Sequence, residues 1–532
     1  MVRKHYPREL GDGRISARSE ADTYHDYGFT GERPNAARHS YGDITIAVIE
    51  SGVPEDEACM FYDWGCSGAS RIRARYVCDG TAPNECASVS NFASADEVDH
   101  TTLVASVIVG DYMDGQGDGH ALGDPAWTSG AHSDEWERLA TGIAPESSIV
   151  FFGKRGTNSS NDAFADAISK SYSELSVDII NGSWVLTGTS ACDVLASEVC
   201  EEEVENAFDD GVFVAQAVGN VGIAGACNVQ APADIPKAFA VGSLDSERAA
   251  CEANYTPDCT IKGSSSAKGG GSVTEDGTTY ANVESMVDLV APGNVTYMTE
   301  DGSTDGADRG LVTIGAVSGS SIATPHVAGA AALVKDYFLN DGLSWINNPG
   351  RLHAVMLAMA DRHWSSNPTS ATQATTQATS GADPYFGMGR LNLRLFESGT
   401  GNTPYGLYMS TVSFTNSSSG SDSFPFGVLP SGVGLFKCVA NQAEDMSDKT
   451  DVSKVDLSIT VRHPVSTGCS YAGAVYIQPV VDQSRDTKAM VAVDTSLLAG
   501  KCVEVSLTPR HVTQVGITVN TYCYYSAGQD DG

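Results

Sequence analysis

Apolar residues recur along roughly the first three quarters of this chain in two alternating ways. Short continuous runs, Ile44-Thr45-Ile46-Ala47-Val48-Ile49, Ser148 to Phe152, Val177 to Ile180 and Val212 to Val218, have the length and β-branched content of strands buried on both faces. Between them lie stretches with helical spacing, one from about Thr102, one through Ala163 to Leu175 and one near Leu195 to Phe208. This alternation predicts an α/β fold, a mostly parallel sheet with flanking helices, over residues 41–398. Beyond Gly399-Thr400-Gly401-Asn402 the period shortens. Runs such as Val455-Asp456-Leu457-Ser458-Ile459-Thr460-Val461 and Val503-Glu504-Val505-Ser506-Leu507 alternate apolar and polar positions, which predicts a C-terminal antiparallel β-sandwich over 403–532. Residues 1–40 are polar and read as an N-terminal extension. A chain of 532 residues is too long for one ordinary core, so two folded domains are expected.

The chemistry concentrates at strand ends. Gly319-Ser320-Ser321-Ile322-Ala323-Thr324-Pro325-His326-Val327-Ala328-Gly329 places Ser321 at a glycine-flanked turn that opens a helix, where small neighbours admit a substrate carbonyl and first-turn N–H groups favour negative charge. A serine hydroxyl alone is a poor nucleophile and needs a base, an orienting carboxylate and an oxyanion donor. His100, at the start of the apolar run Thr101 to Ile108, is the candidate base. Glu50, at the carboxyl end of the first strand in Glu50-Ser51-Gly52, is the candidate orienting acid. Asn220, in Gly219-Asn220-Val221-Gly222 after another strand, is the candidate oxyanion donor. Taken singly, His100 reads as a capped polar residue, Asn220 as a turn residue and Ser321 as a helix cap. Their coincidence in one order argues for a shared site.

These segments resemble the subtilisin-like serine peptidases, in which the order is carboxylate, histidine, serine. The family's nucleophile motif reads Gly-Thr-Ser-Met-Ala-Thr-Pro-His, from which only Ser320 and Ile322 depart. Its base motif reads His-Gly-Thr-His-Val-Ala-Gly, matched by His100, Thr102, Val104 and Ala105 but not by Thr101, Leu103 or Ser106. Gly142-Ile143-Ala144-Pro145, Ile180-Asn181-Gly182-Ser183, Asp288-Leu289-Val290-Ala291-Pro292-Gly293 and Phe386-Gly387-Met388-Gly389-Arg390-Leu391-Asn392 look like further family landmarks. The main departure is Glu50, since the family's pattern there is Val-Ile-Asp-Ser-Gly. The resemblance implies a subtilisin-like sheet, a serine endopeptidase acting through an acyl-enzyme, and no cofactor required for the chemistry. It also implies substrate binding along Ser183-Trp184-Val185 and Gly219, with Trp184 either narrowing a subsite or joining the core. An inactive binding or structural relative with Glu50 as its mark, and a related transpeptidase, stay open. The C-terminal sandwich looks like the jelly-roll or pre-peptidase modules that follow many such catalytic domains.

Composition sets the surroundings. A formal charge of −35 disfavours nucleic acid and anionic membrane surfaces as partners, whereas the polypeptide substrate is what the resemblance implies. Thirteen cysteines without a tight CxxC pair favour disulfides over zinc. Close spacings suggest Cys59 with Cys66, Cys78 with Cys86, Cys192 with Cys200 and Cys251 with Cys259, leaving Cys227 unpaired. Sequons at Asn158, Asn181, Asn254, Asn294 and Asn416 agree with a secreted protein, although Asn181, in the expected substrate segment, is a poor acceptor. No run reaches the roughly 18 apolar residues that span a bilayer, and no signal-peptide core is visible, so a mature or recombinant form with its propeptide removed is expected. Asp111, Asp114 and Asp118, with Asp124 beyond, sit in a glycine-rich loop that could fold around a structural Ca2+. Ser365 to Gly381 is a low-complexity loop, expected to be mobile.

Overall fold

A computed structural model describes residues 44–54, 70–80, 86–90, 95–110, 142–154, 160–186, 199–222, 227–245, 261–262, 266–275, 278–284, 286–300, 311–360, 386–393, 406–415, 420–444, 453–465, 468–470, 472–482, 487–494, 498–512 and 517–526. Its centre is a mostly parallel sheet made from β1 (Thr45–Glu50), β2 (Ile72–Cys78), β3 (Cys86–Ser88), β4 (Ser148–Lys154), β5 (Ile179–Gly182), β6 (Phe213–Ala217), β7 (Phe239–Asp245), β8 (Ile261–Lys262) and, after the hairpin β9 (Gly271–Glu275) and β10 (Thr278–Glu284), β11 (Leu289–Pro292). The spatial order is β11-β7-β6-β5-β1-β4-β2-β3, with β8 beside β7, and only β3 and β8 pair antiparallel. A ribbon of β12 (Asn294–Glu300) and β13 (Leu311–Ser318) leads into the nucleophile turn.

Helices cover both faces. On one lie α1 (Ala95–Val109), α4 (Ser320–Asn340) and α5 (Pro349–Ala358); on the other lie α2 (Ser160–Ser173) and α3 (Val199–Asp209). The period-two rule assigns each residue of β1 its side: Ile44, Ile46 and Val48 enter the core with α1 and α4, whereas Ala47 and Ile49 enter the core with α2. Continuing that register, Glu50 is in phase with Ile46 and Val48, toward the face that carries α1 and α4.

The expected helix from Thr102 begins earlier, at Ala95. The sequence Ala95-Asp96-Glu97 places acidic residue types in the first turn, where the helix dipole favours them, so propensity extends the helix past the apolar run. His100 therefore stands inside α1 rather than at its start.

The C-terminal strands are β14 (Gly406–Phe414), β15 (Asp422–Val428), β16 (Leu435–Asn441), β17 (Lys454–Arg462), β18 (Val475–Asp482), β19 (Lys488–Asp494), β20 (Cys502–His511) and β21 (Ile517–Ser526). They form two antiparallel sheets, β14-β21-β16-β19 and β15-β20-β17-β18, packed as the expected sandwich around Phe436, Leu457, Ile459, Val503, Val505 and Val519. In the first of these sheets, β16 is buried on both faces. Phe436, Cys438 and Ala440 enter the sandwich core, while Leu435 and Val439, with Met490, Tyr522 and Tyr524, join the α/β core beside α4 and α5.

Cys78 pairs with Cys86 as spacing suggests. Cys438 pairs with Cys523 across adjacent strands, and Cys469 with Cys502, pairings that spacing does not disclose. Cys227 carries a free thiol. Cys59, Cys66, Cys192, Cys251 and Cys259, the loop from 365 to 381 and residues 1–40 lie outside the described residues. Among the described residues no helix is long and apolar enough to cross a membrane.

Candidate active site

Glu50, His100, Asn220 and Ser321 converge at one rim of the sheet from four separate elements. Glu50 ends β1 and is only 3% exposed, with Gly153 as its register partner on β4. His100, from α1, places Nδ1 3.3 Å from Glu50 Oε2 and Nε2 3.3 Å from Ser321 Oγ. The imidazole thus bridges acid and hydroxyl. The Glu50 carboxylate beside it raises the His100 pKa above its ordinary 6.5, by charge attraction and by hydrogen bonding, against the opposing effect of burial. The second oxygen, Glu50 Oε1, is buried and has no hydrogen-bond partner among the described residues.

Ser321 is the second residue of α4, capped by Gly319, and is not itself the cap. First-turn N–H groups of a helix have no intrahelical partner. Here the Ser320 N–H donates to Asn220 Oδ1 (2.8 Å), and the Ile322 and Ala323 N–H groups turn back to the Gly319 carbonyl. Among the described residues the Ser321 N–H has no hydrogen-bond partner.

Ser320, which sequence reading treats only as a departure from the family motif, fixes Asn220. Its Oγ accepts from the Gly219 N–H (3.1 Å) and donates to Asn220 Oδ1 (3.2 Å). With its carbonyl oxygen held by two Ser320 donors, the Asn220 amide is oriented with Nδ2 as the free donor, close to Gly319, where an added Cβ would stand 2.9 Å from that nitrogen. Gly219 has φ +96, a conformation that suits glycine. The sequence signal for Ser320 is that it keeps the hydroxyl of the family's threonine.

Beside this cluster runs the segment Ser183-Trp184-Val185-Leu186. Its inner edge is tied down: Gln216 Nε2 donates to the Trp184 carbonyl, Gln230 Nε2 to the Leu186 carbonyl (3.3 Å), and the Leu186 N–H to the Ala231 carbonyl (3.0 Å). In an extended segment backbone groups alternate sides, so those of Ser183 and Val185 face away from this edge. Trp184 is a core residue, stacked on Phe164 with ring centroids 3.8 Å apart and 8° between planes. Asn181 is fully buried and donates to Ser183 Oγ (3.0 Å), which leaves its sequon inaccessible in the fold. Asp111, Asp114 and Asp118 lie outside the described residues, as does Asp124, and among the described residues no group of three or more His, Cys, Asp or Glu is placed to hold a metal ion.

Comparison with known proteins covers the same stretch of chain. The model of the subtilase family, Peptidase_S8, matches residues 42–389, which include Glu50, His100, Asn220 and Ser321. The chain belongs to the subtilase family. Subtilisin DY of Bacillus licheniformis is 25% identical over 277 residues, 51% of this subtilase and 83% of that protein. Subtilisin NAT of Bacillus subtilis subsp. natto is 31% identical over 145 residues, 27% of this chain and 28% of that one. Subtilisin Savinase of Lederbergia lenta is 31% identical over 157 residues, 30% of this chain and 42% of that one. The match thus spans less than half the length of the latter two relatives. Among solved structures, Sphericase superposes with a TM-score of 0.43 at 18% identity, covering 73% of this chain and 100% of that one.

Proposed function

We propose that this subtilase is a serine endopeptidase acting on polypeptides through an acyl-enzyme. The observation that carries this reading is the continuous contact from Glu50 through His100 to Ser321, at 3.3 Å on each side of the ring. Ser321 Oγ attacks the scissile carbonyl carbon while His100 Nε2 takes its proton. The resulting oxyanion accepts hydrogen bonds from Asn220 Nδ2 and the Ser321 N–H. Collapse breaks the C–N bond, and His100 returns the proton to the departing amine. Water then repeats the sequence on the ester, regenerating Ser321 and releasing the acid. Glu50 holds the ring and stabilises its charged form. The outward backbone groups of Ser183 and Val185 pair with an extended peptide, and this main-chain recognition tolerates many sequences.

The three disulfides among the described residues suit an oxidising compartment and support secretion. A Ca2+ at the Asp111–Asp118 loop belongs to the same proposal as a stabilising ion with no part in the reaction.

Fluorophosphonate labelling tests the reading. Wild-type protein is expected to be labelled at Ser321, His100→Ala to lose the label, and product mass spectra to show hydrolysed peptides. An unlabelled Ser321 in folded protein would identify an inactive relative, and amine-ligated products would identify a transpeptidase.

A further inference from the structure

Thr101 reads in the sequence only as a mismatch to the base motif, and the proposed reaction gives it no part. It follows His100 on α1 and is fully buried. Its Oγ1 donates to the carbonyl of Gly52 (3.1 Å), two residues beyond Glu50. The helix of the base and the turn of the acid are therefore joined twice over a short stretch, by Glu50 to His100 and by Gly52 to Thr101.

The second join matters because the first is thin. Glu50 Oε1 has no hydrogen-bond partner among the described residues, and Oε2 meets His100 Nδ1 at 3.3 Å. Glutamate turns about three side-chain torsions, so a carboxylate met at one oxygen goes where its backbone and its neighbours send it. The backbone of this turn is fastened to the sheet. Glu50 is in register with Gly153 of β4, Val53 packs so closely there that a Cβ on Gly153 would stand 2.7 Å from its Cγ2, and Arg75 Nε of β2 donates to the Pro54 carbonyl (3.1 Å). None of these contacts reaches α1. Thr101 does, and because it adjoins His100 on a hydrogen-bonded helix, what fixes one against Gly52 also fixes the other opposite Glu50. We infer that Thr101 is a positioning residue: its hydroxyl, closed on the Gly52 carbonyl, sets the separation of α1 from the acid turn at the span that the Glu50 side chain bridges. This rests on the endopeptidase reading above, and it makes the acid-to-base contact depend on a hydroxyl that touches neither the reacting atoms nor the substrate.

Thr101→Val keeps the shape of the side chain and removes the hydroxyl, which takes this donor from the buried Gly52 carbonyl. Its kcat is expected to fall about tenfold with KM within about twofold of wild type, the mark of a misplaced catalytic group rather than a damaged binding surface. The acid limb of kcat/KM should move down toward 6.5, because the Glu50 carboxylate that raises the His100 pKa is less well placed. Thr101→Ser, which puts a hydroxyl back, should restore both. A double variant with Glu50→Ala separates positioning from general damage: with no carboxylate left to aim, Thr101→Val is expected to cost less than about threefold in that background. A tenfold loss that persists there would overturn the inference, as would an unchanged kcat in Thr101→Val or a Thr101→Ser variant no better than Thr101→Val. Thr101→Ala, which sets no methyl against the carbonyl, carries the same expectations if Thr101→Val does not fold. A labelled wild type whose kcat is indifferent to Thr101 sinks this inference alone, whereas a folded protein whose Ser321 resists fluorophosphonate sinks the endopeptidase reading and this with it.

Discussion

Glu50, one methylene longer than an aspartate, reaches His100 with its carboxylate. Its Oε2 stands 3.3 Å from His100 Nδ1 while the rest of the side chain is buried opposite Gly153. Glu50→Asp withdraws the carboxylate by about one bond length, and positioning errors above about 0.5 Å impair catalytic groups. At least a tenfold lower kcat is expected, and a rise instead would show the longer acid to be a handicap. Glu50→Gln removes the charge that raises the His100 pKa and leaves burial, which lowers it. Because the base works in its neutral form, wild-type kcat/KM is expected to rise with pH through an acid limb above 6.5. In Glu50→Gln that limb should move below 6.5 and kcat should fall on the order of 10⁴-fold, as for loss of the orienting acid in a related triad. Ser320→Ala removes the hydroxyl between Gly219 and Asn220 but keeps the N–H bond to Asn220 Oδ1. Its expected signature is about a tenfold drop in kcat with little change in KM, since the oxyanion is bound only in the transition state.

At the scale of elements, α4 carries Ser321 into place and must lie deep against the sheet to do so. The run Val327-Ala328-Gly329-Ala330-Ala331-Ala332 is buried, and a Cβ on Gly329 would stand 2.6 Å from Ile143 Cβ. Overpacking of this kind typically costs about 1–3 kcal/mol. Gly329→Val is expected to destabilise the protein by at least that much in denaturant titration and to reduce Ser321 labelling as α4 shifts from α1. The run of small residues was visible in the sequence. Its partner Ile143 was not, because 186 residues separate it from Gly329 and only the fold brings them together.

In the whole molecule, the sandwich shares the core of the α/β body and adds a charge to it. Lys488 of β19 places Nζ 2.6 Å from Oδ1 of Asp288, His353 of α5 places Nε2 3.2 Å from the same oxygen, and Asp288 Oδ2 accepts from the Ala240 N–H (2.7 Å). Burial pushes the Asp288 pKa up, but the Lys488 ammonium and the His353 ring outweigh it and hold the group at about 2. A carboxyl held below its unfolded value contributes stability that is present above that value and lost as pH falls through the folded one. This contribution, on the order of 2 kcal/mol, should therefore disappear between about pH 4 and pH 2. Lys488→Met leaves Asp288 buried without its strongest counter-charge and is expected to cost on the order of 3 kcal/mol in chemical denaturation. Asp288→Asn in the same chain should recover part of that loss, because it removes the stranded charge while keeping an acceptor for Ala240.

The local pattern of this chain was enough to place the strands at the centre of the sheet and the helices beside them, and to single out Glu50, His100, Asn220 and Ser321, which the fold brings together, because each follows from period, turn chemistry and motif over about ten residues. It was equally enough to expect antiparallel strands in the C-terminal region. Tertiary structure alone decided that Glu50 reaches His100, that Ser320 clamps Asn220, that Gln230 joins Leu186 to the Gly219 turn, that Cys438 meets Cys523, and that β16 is buried on both faces. Each of these joins residues distant in the chain, or adjacent residues whose partners are distant. Strand register and helix packing set such contacts, and neither is encoded within a short window of sequence.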